Sequence, residues 1–454
     1  MNDEPTCTFD QAVLSAWQDE LKATGDATLK QQCLQREPEL LPRFAAHYQQ
    51  LKTLRRRVRR SLQRQWKRSL AGVALLIALG QAPTLAATIN VSGNCTLVDA
   101  ITAANNNTAT GGCTAGSGAD TIVLPSGSTQ TLTTVNNTSL PATGLPVISS
   151  VITIAGNGST IRRDPGAPDF RILAVSSIGS LTLQRTTVSG GRAIAPFGGG
   201  GGVFSQGALI LNNSTISRNS GGGVFDAFGR LSVTNSTISG NSAGAGGGII
   251  SYGATITNST ISGNAAKFGG GGFLNFSTST VTNSTISENT SSYSGGAVIN
   301  GGRGTLTLTN TTISGNTGSS GGGVSNRGTL TLNRTLISGN AATSGSAPEL
   351  DNQHTVIANN FNLFGHDGNA GVEGFSPGPT DIVSTRSLSA ILNTTLADNG
   401  GPTRTHTLPS GSPAVDAVMD TCPPPRRDQR GVRRPQDGNH DGAAICDTGA
   451  FERR

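Results

Sequence analysis

Residues 306–326 read LTLTNTTISGNTGSSGGGVSN, and residues 231–249 read LSVTNSTISGNSAGAGGGI. The same sentence recurs elsewhere. Aligned on its central β-branched residue, it gives Val188, Ile216, Ile238, Ile261, Ile286, Ile313 and Ile337, a period near 25 residues with some elasticity. Each copy holds an alternating apolar/polar segment, then N-[ST]-T-I-S, Gly-Asn, a variable turn of small residues, and a Gly run. Three short strands joined by turns fit this pattern. Alternation along a strand sends Leu306, Leu308, Ile313 and Val324 inward, with the intervening Thr and Ser facing water. One coil cannot bury so few apolar groups alone. Stacking like coils buries them continuously and pairs each strand with its counterpart in the next coil. The expected fold is therefore all-β, a right-handed parallel β-helix; Thr, Ser, Asn and Gly disfavour a helical repeat.

Like residues then lie above like. Asn235, Asn258, Asn283 and Asn310 recur before the Ile strand, and their amides are expected to stack as a ladder, each donating to the next. A second set, Asn219, Asn241, Asn264, Asn289, Asn316 and Asn340, recurs after it. Read singly, N-S-T is a glycosylation acceptor, but recurrence at a fixed place in the coil favours the ladder. The Gly runs mark backbone with positive φ or with no room for a side chain.

Composition agrees with a repeat array. Gly accounts for 62 of 454 residues, aromatics for 4% and charged residues for 13%, too little charge for a disordered chain. The formal +6 is local: residues 52–68 hold nine Lys or Arg and no acid. This run precedes the apolar stretch LAGVALLIALG (70–80), and a basic flank followed by a short apolar run reads as an export signal. Small residues at 84 and 86 offer a cleavage point near Ala87; uncleaved, residues 69–87 would serve as the membrane anchor. No basic patch recurs beyond, so nucleic acid is not expected as a partner. The expected organisation is a cytosolic helical leader (1–51), basic flank and signal or anchor (52–87), N-terminal cap and first coils (88–179), β-helix repeats (180–365) and a C-terminal capping region (366–454).

Cysteines divide along the same line. Cys7 and Cys33 precede the export segment; Cys95, Cys113, Cys422 and Cys446 follow it. Outside the cytosol thiols oxidise, and the pairs nearest in sequence, Cys95 with Cys113 and Cys422 with Cys446, would staple the two ends. The absence of CxxC argues against structural zinc.

The ISGNxxxxGGG[VI] unit resembles the repeats of polymorphic outer-membrane-type bacterial surface proteins in the pectin-lyase-like fold group. CTLVDAITAAN (95–105) with GADTIVLPSG (118–127) resembles the CSLREA domain, with Val98 and Asp99 where that motif has Arg and Glu. NGGPTRTHTL (399–408), with GSPAVDA, DQRGVRRP and CDTGAFE after it, resembles the choice-of-anchor Q domain. The resemblance implies an exported or surface-displayed bacterial protein of the β-helix type.

Catalysis on such a fold needs clustered or paired carboxylates. Between 180 and 348 the acids are Asp226 and Glu288, and none of the five histidines falls there. Asp351, Asp367, Glu373 and Asp381 lie beyond. GNSAG (240–244) matches the nucleophile-elbow pattern, but Ser242 sits where other coils hold Ala265, Thr290 and Thr317, and that pattern belongs to a strand-to-helix turn. Asp437, Asn439, Asp441 and Gly442 follow the opening of a Ca²⁺ loop, with Thr448 where the closing acid is expected and Asp447 one place early. A structural Ca²⁺ is the one cofactor this pattern suggests; Asp and Asn in Gly-rich turns also bond their own backbone. Arg230, Arg303 and Arg327 precede comparable strands. The sequence thus points to a monomeric binding, adhesion or structural module facing glycans, matrix or other cells, with a carbohydrate-active enzyme as the alternative.

Overall fold

The computed structural model describes residues 86–138, 142–193, 199–345, 347–419, 422 and 424–454. The helical leader, and all but the last two residues of the basic and apolar segment, lie outside the described residues. Every coil-to-coil strand pairing is parallel. Register confirms the stacking: Thr237-Ile238-Ser239 pairs residue for residue with Thr215-Ile216-Ser217 on one side and Thr260-Ile261-Ser262 on the other. Ile261, Ile286, Ile313 and Ile337 continue the row. All are fully buried, as are Leu306, Leu308 and Val324. One hydrophobic shaft runs from Ile89 to Phe364. Each fully buried Ile, Leu or Val in it contributes about 1.5–3 kcal/mol.

A central coil contains four strands rather than three. For residues 224–243 these are Val224–Asp226, Leu231–Thr234, Thr237–Ser239 and the two-residue Ser242–Ala243. The first belongs to a 9-stranded sheet and the last to a 5-stranded one. The middle two form adjacent columns of a 20-stranded sheet, because the long early strands Val151–Arg163 and Ser180–Ser189 run through the bend between them. The fourth strand escapes the sequence pattern since Ser-Ala, Ala-Ala and Thr-Ser read as turn residues.

Two devices fix the bends. Between the middle strands Asn213, Asn235, Asn258, Asn283 and Asn310 adopt φ of 46–51°, as do Arg185 and Arg334 at 48° and 51°. Asn tolerates this left-handed conformation better than other residues bearing a side chain. At the opposite bend the Gly run is enforced by crowding. A Cβ on Gly271 would sit 2.4 Å from Gly296 O, and one on Gly296 the same distance from Gly322 O.

The N-terminal opening is closed by helix α1, Leu97–Asn106, which buries Leu97, Ala100, Ile101, Ala103 and Ala104. Thr96 caps it by accepting from Asp99 N, and Asp99 places an acid in the first turn. Cys95 is bonded to Cys113 and Cys422 to Cys446, each within its own end region.

Candidate functional site

The most regular exposed surface is the outward face of the longest strand column. Thr255 stacks on Thr280, Thr257 on Thr282, and Thr278-Thr280-Thr282 on Thr305-Thr307-Thr309, followed by Thr329-Thr331-Asn333. Every one is exposed or half-buried. Strands about 4.8 Å apart, with i and i+2 about 6.7 Å apart, make this a flat lattice of hydroxyls. Its edge carries Phe228, Tyr252 and Phe276, all exposed, with the Tyr252 and Phe276 rings stacked at 5.1 Å. Exposed Arg303 and Arg327 precede neighbouring strands beyond them; coils at 254–257 and 278–282 separate these from Arg230.

The two Asn rows do different work. The row after the Ile strand is a continuous ladder: Asn219, Asn241, Asn264, Asn289 and Asn316 each donate Nδ2 to the Oδ1 of the next Asn at 2.8–2.9 Å. Each Oδ1 also takes the preceding Asn N–H. The second amide proton goes to the carbonyl of the Ile strand one coil back, as from Asn264 to Ile238 at 2.9 Å. Every donor and acceptor of the amide is thus used. In the row picked out by sequence, Asn283 donates to Asn258 and Asn310 to Asn283, both at the longer 3.3 Å, and Asn235 makes no such bond among the described residues. Its primary constraint is the left-handed bend. A third ladder, Asn275 to Asn300 to Asn326 to Asn352, runs inside at 2.7–2.9 Å.

The continuous ladder ends on a carboxylate. Asn340 Nδ2 donates to Glu349 Oε2 at 2.6 Å, and Gly339 N to Oε1 at 2.8 Å. Glu349 is buried, and burial pushes its carboxyl up to about 7 against the opposing hydrogen bonds from Asn340 and Gly339. His366 Nδ1 stands 3.9 Å from it.

The other acids are dispersed. Asp226 lies inside the coil, holding Ser251 Oγ at 2.7 Å, and burial raises its pKa; Glu288 is exposed at a bend. Asp381 is saturated by N–H donors from Asn359, Asn360, Asn362 and Gly378. Asp367 lies exposed beside His366. Asp351 and Glu373 are direct register partners on neighbouring strands, and Asp351 accepts from Ser320 and Gln353 at 3.2 Å. Ser242 belongs to a parallel strand pairing with Ala265, with no turn into a helix.

Asp437, Asn439 and Asp441 share one exposed turn and spend their oxygens on it: Asp441 N donates to Asp437 and Asn439, Gly442 N to Asp437, and Ala443 N to Asp441. Thr448 Oγ1 is turned away to Phe361 O, and buried Asp447 holds Asp416 N and Arg453 N. Thr448 and Asp447, at the closing end of the pattern, are thus engaged elsewhere, while Asp437, Asn439 and Asp441 stay together on the turn. Among the described residues no group of three or more His, Cys, Asp or Glu gathers to hold a metal.

The C-terminal segment, expected as an end cap, lies along the side of the solenoid. Thr260 Oγ1 donates to Arg404 O at 2.6 Å, Asn283 Nδ2 to Arg427 O at 2.6 Å, Thr285 Oγ1 to Gln429 Oε1 at 2.7 Å, and Ala450 N to Thr312 Oγ1 at 3.0 Å. His406 Nε2 meets Ser287 Oγ at 2.8 Å; burial lowers its pKa, keeping it neutral. An apolar cluster of Ile391, Leu392, Leu408, Ala414 and Phe451 sits on Leu336 and Leu363. The charged motif residues knot this segment to itself: Asp428 pairs with Arg430 at 2.7 Å and Arg434 with Glu452 at 2.8 Å.

The parallel register defines the fold as a right-handed β-helix, and a family comparison meets it over part of the chain. Residues 171–361 match the family described as "Right handed beta helix region". None of the curated proteins compared with the chain matches it. Among solved structures it is similar to "Crystal structure of pectate lyase Pel9A", at 13% identity over 81% of this chain and 96% of that one, with a TM-score of 0.39.

Proposed function

We propose that this chain is an exported, non-catalytic binding or structural module that presents its Thr lattice to an extended partner such as a glycan, a matrix or another cell surface. The observation that supports this reading is the open, flat hydroxyl face spanning residues 254–333, whose Thr repeat in register from coil to coil although its inward neighbours vary. A repeated flat array suits a large repetitive partner better than a small concave substrate. The two disulfides agree with an oxidising compartment. The test is adsorption of the full chain to matrix and polysaccharide surfaces. Thr280→Lys with Thr307→Lys is expected to cut adsorption at least tenfold while leaving thermal unfolding unchanged. Undiminished adsorption would remove the face from the account.

The enzyme alternative is favoured by one feature: Asp351 and Glu373 stand side by side on adjacent strands. Their Cα atoms are therefore about 4.8 Å apart, near enough for two carboxyl groups to act on one bond. Product release from acidic polysaccharides across pH and Ca²⁺ levels, abolished by Asp351→Ala, would move the conclusion to that reading.

A further inference from the structure

The side of the solenoid that carries the Thr-Ile-Ser strands is covered over only part of its length. From Thr260 onward its outward Thr and Ser are buried beneath the C-terminal segment: Thr260, Thr285 and Thr312, with Ser262, Ser287 and Ser314, are all buried. Direct register carries the same two rows back through Thr237/Ser239, Thr215/Ser217 and Thr187/Ser189 to Thr160/Arg162. There they are half-buried or exposed.

The covered coils show what such rows hold. Residues 403–406 run along the stack: Thr403 Oγ1 donates to Asn258 O, Thr260 Oγ1 donates to Arg404 O, and His406 reaches Ser287 one coil on. Hydrogen bonds thus pass both ways between this face and the segment laid on it: Thr260 donates to a carbonyl of the segment, and Thr403 donates to a carbonyl of the coil. In the open coils this scaffold gains charge. Arg162, Arg185 and Arg218 are exposed on or beside the rows, Arg404 stands at the boundary, and no ion pair among the described residues includes any of them. The one carboxylate between residues 184 and 240, Asp226, is inside the coil. A cavity of about 300 Å³, lined by Gly158, Arg185, Thr186, Thr187, Asn213 and Thr215, opens on this face.

We infer that the four open coils dock an extended acidic peptide segment of a partner protein, laid along the stack in continuation of residues 403–406. This surface is separate from the Thr lattice and goes beyond the function proposed above. Four coils at about 4.8 Å accommodate roughly six extended residues. Thr hydroxyls receive its carbonyls, and Arg185 and Arg218 receive its carboxylates.

The test is fluorescence anisotropy of the full chain with a labelled peptide of about eight residues alternating Glu and Thr. Saturable binding is expected, weakening steeply with salt and at least tenfold in Arg185→Asn/Arg218→Gly. Those replacements are the residues that other coils use at the same bends, Asn213 and Gly240, so the left-handed backbone is retained. A peptide with Gln for Glu is expected not to bind. Failure of the acidic peptide to bind, or equal binding by the variant, overturns the inference. So does binding of polygalacturonate that excludes the peptide, which would assign the face to polysaccharide.

Discussion

The Asn219–Asn340 row and the Asn213–Asn310 row are written with the same residue at the same period, yet the first is buried chemistry and the second is backbone geometry. In the first, each amide closes four hydrogen bonds inside the protein. In the second, the side chains range from exposed at Asn213 to buried at Asn283 and Asn310, and the left-handed φ is what all five share. Recurrence therefore says that a position is constrained; exposure and φ say by what.

The largest expected effect is at the centre of the ladder. Asn264→Ala strips partners from Asn241 N and Nδ2 and removes the donor to Asn289 Oδ1 and Ile238 O, leaving two buried donors unmet. A loss of about 3 kcal/mol or more in denaturant unfolding is expected. A loss no larger than that of Asn235→Ala would erase the distinction between the rows. An intermediate effect is expected where the ladder ends. The Glu349 carboxyl is held up to about 7 by burial, from an ordinary 4.5. The folded state thus binds this proton more tightly than the unfolded state, so the associated stability is full below the ordinary range and is lost as pH rises through about 7. Glu349→Gln keeps an acceptor for Asn340 without the titration. Unfolding midpoints of variant and parent are expected to lie closest below about pH 4.5 and to separate by pH 8 with the variant the more stable; a constant offset would show that the ladder does not feel this charge. The smallest effects belong to the bend. Asn235→Ala is expected to cost about 1 kcal/mol for its left-handed backbone, and Asn235→Gly to stay within about 0.5 kcal/mol of the parent. A large loss in Asn235→Gly would mean that the side chain, and not φ, is what the bend needs.

Periodicity made the solenoid, its inward residues and its disulfide partners legible, because all three depend on local pattern or short separations. It did not choose between the Asn rows. The cue was available: Arg185 and Arg334 interrupt the bend row, whereas the ladder runs unbroken from Asn219 to Asn340. Helix α1 has a local start signal in Thr96 and Asp99 before Ala100, Ile101 and Ala104, but it is a single short helix beside a strong strand repeat. The lateral course of the C-terminal segment is a long-range fact, carried by bonds such as Thr285 to Gln429 across 144 positions. Its one local trace is the outward Thr row turning to Leu336 and Leu363, where the apolar cluster lands. For the Thr lattice and the open Thr-Ile-Ser coils, sequence supplied the hydroxyls but could not say which would be covered.

The ladder also has a direction. Each amide gives its proton toward the C-terminal end, and the series stops at Glu349, whose two oxygens accept from Asn340 and Gly339. Whole windings could therefore be added or deleted upstream by duplication, each newcomer bringing its own Asn, whereas the winding that follows Glu349, through Leu350–Asn352, Leu363–Phe364 and Ile382–Val383, stacks without this amide. The ladder, and not the solenoid, is what is open to lengthening on one side and closed on the other.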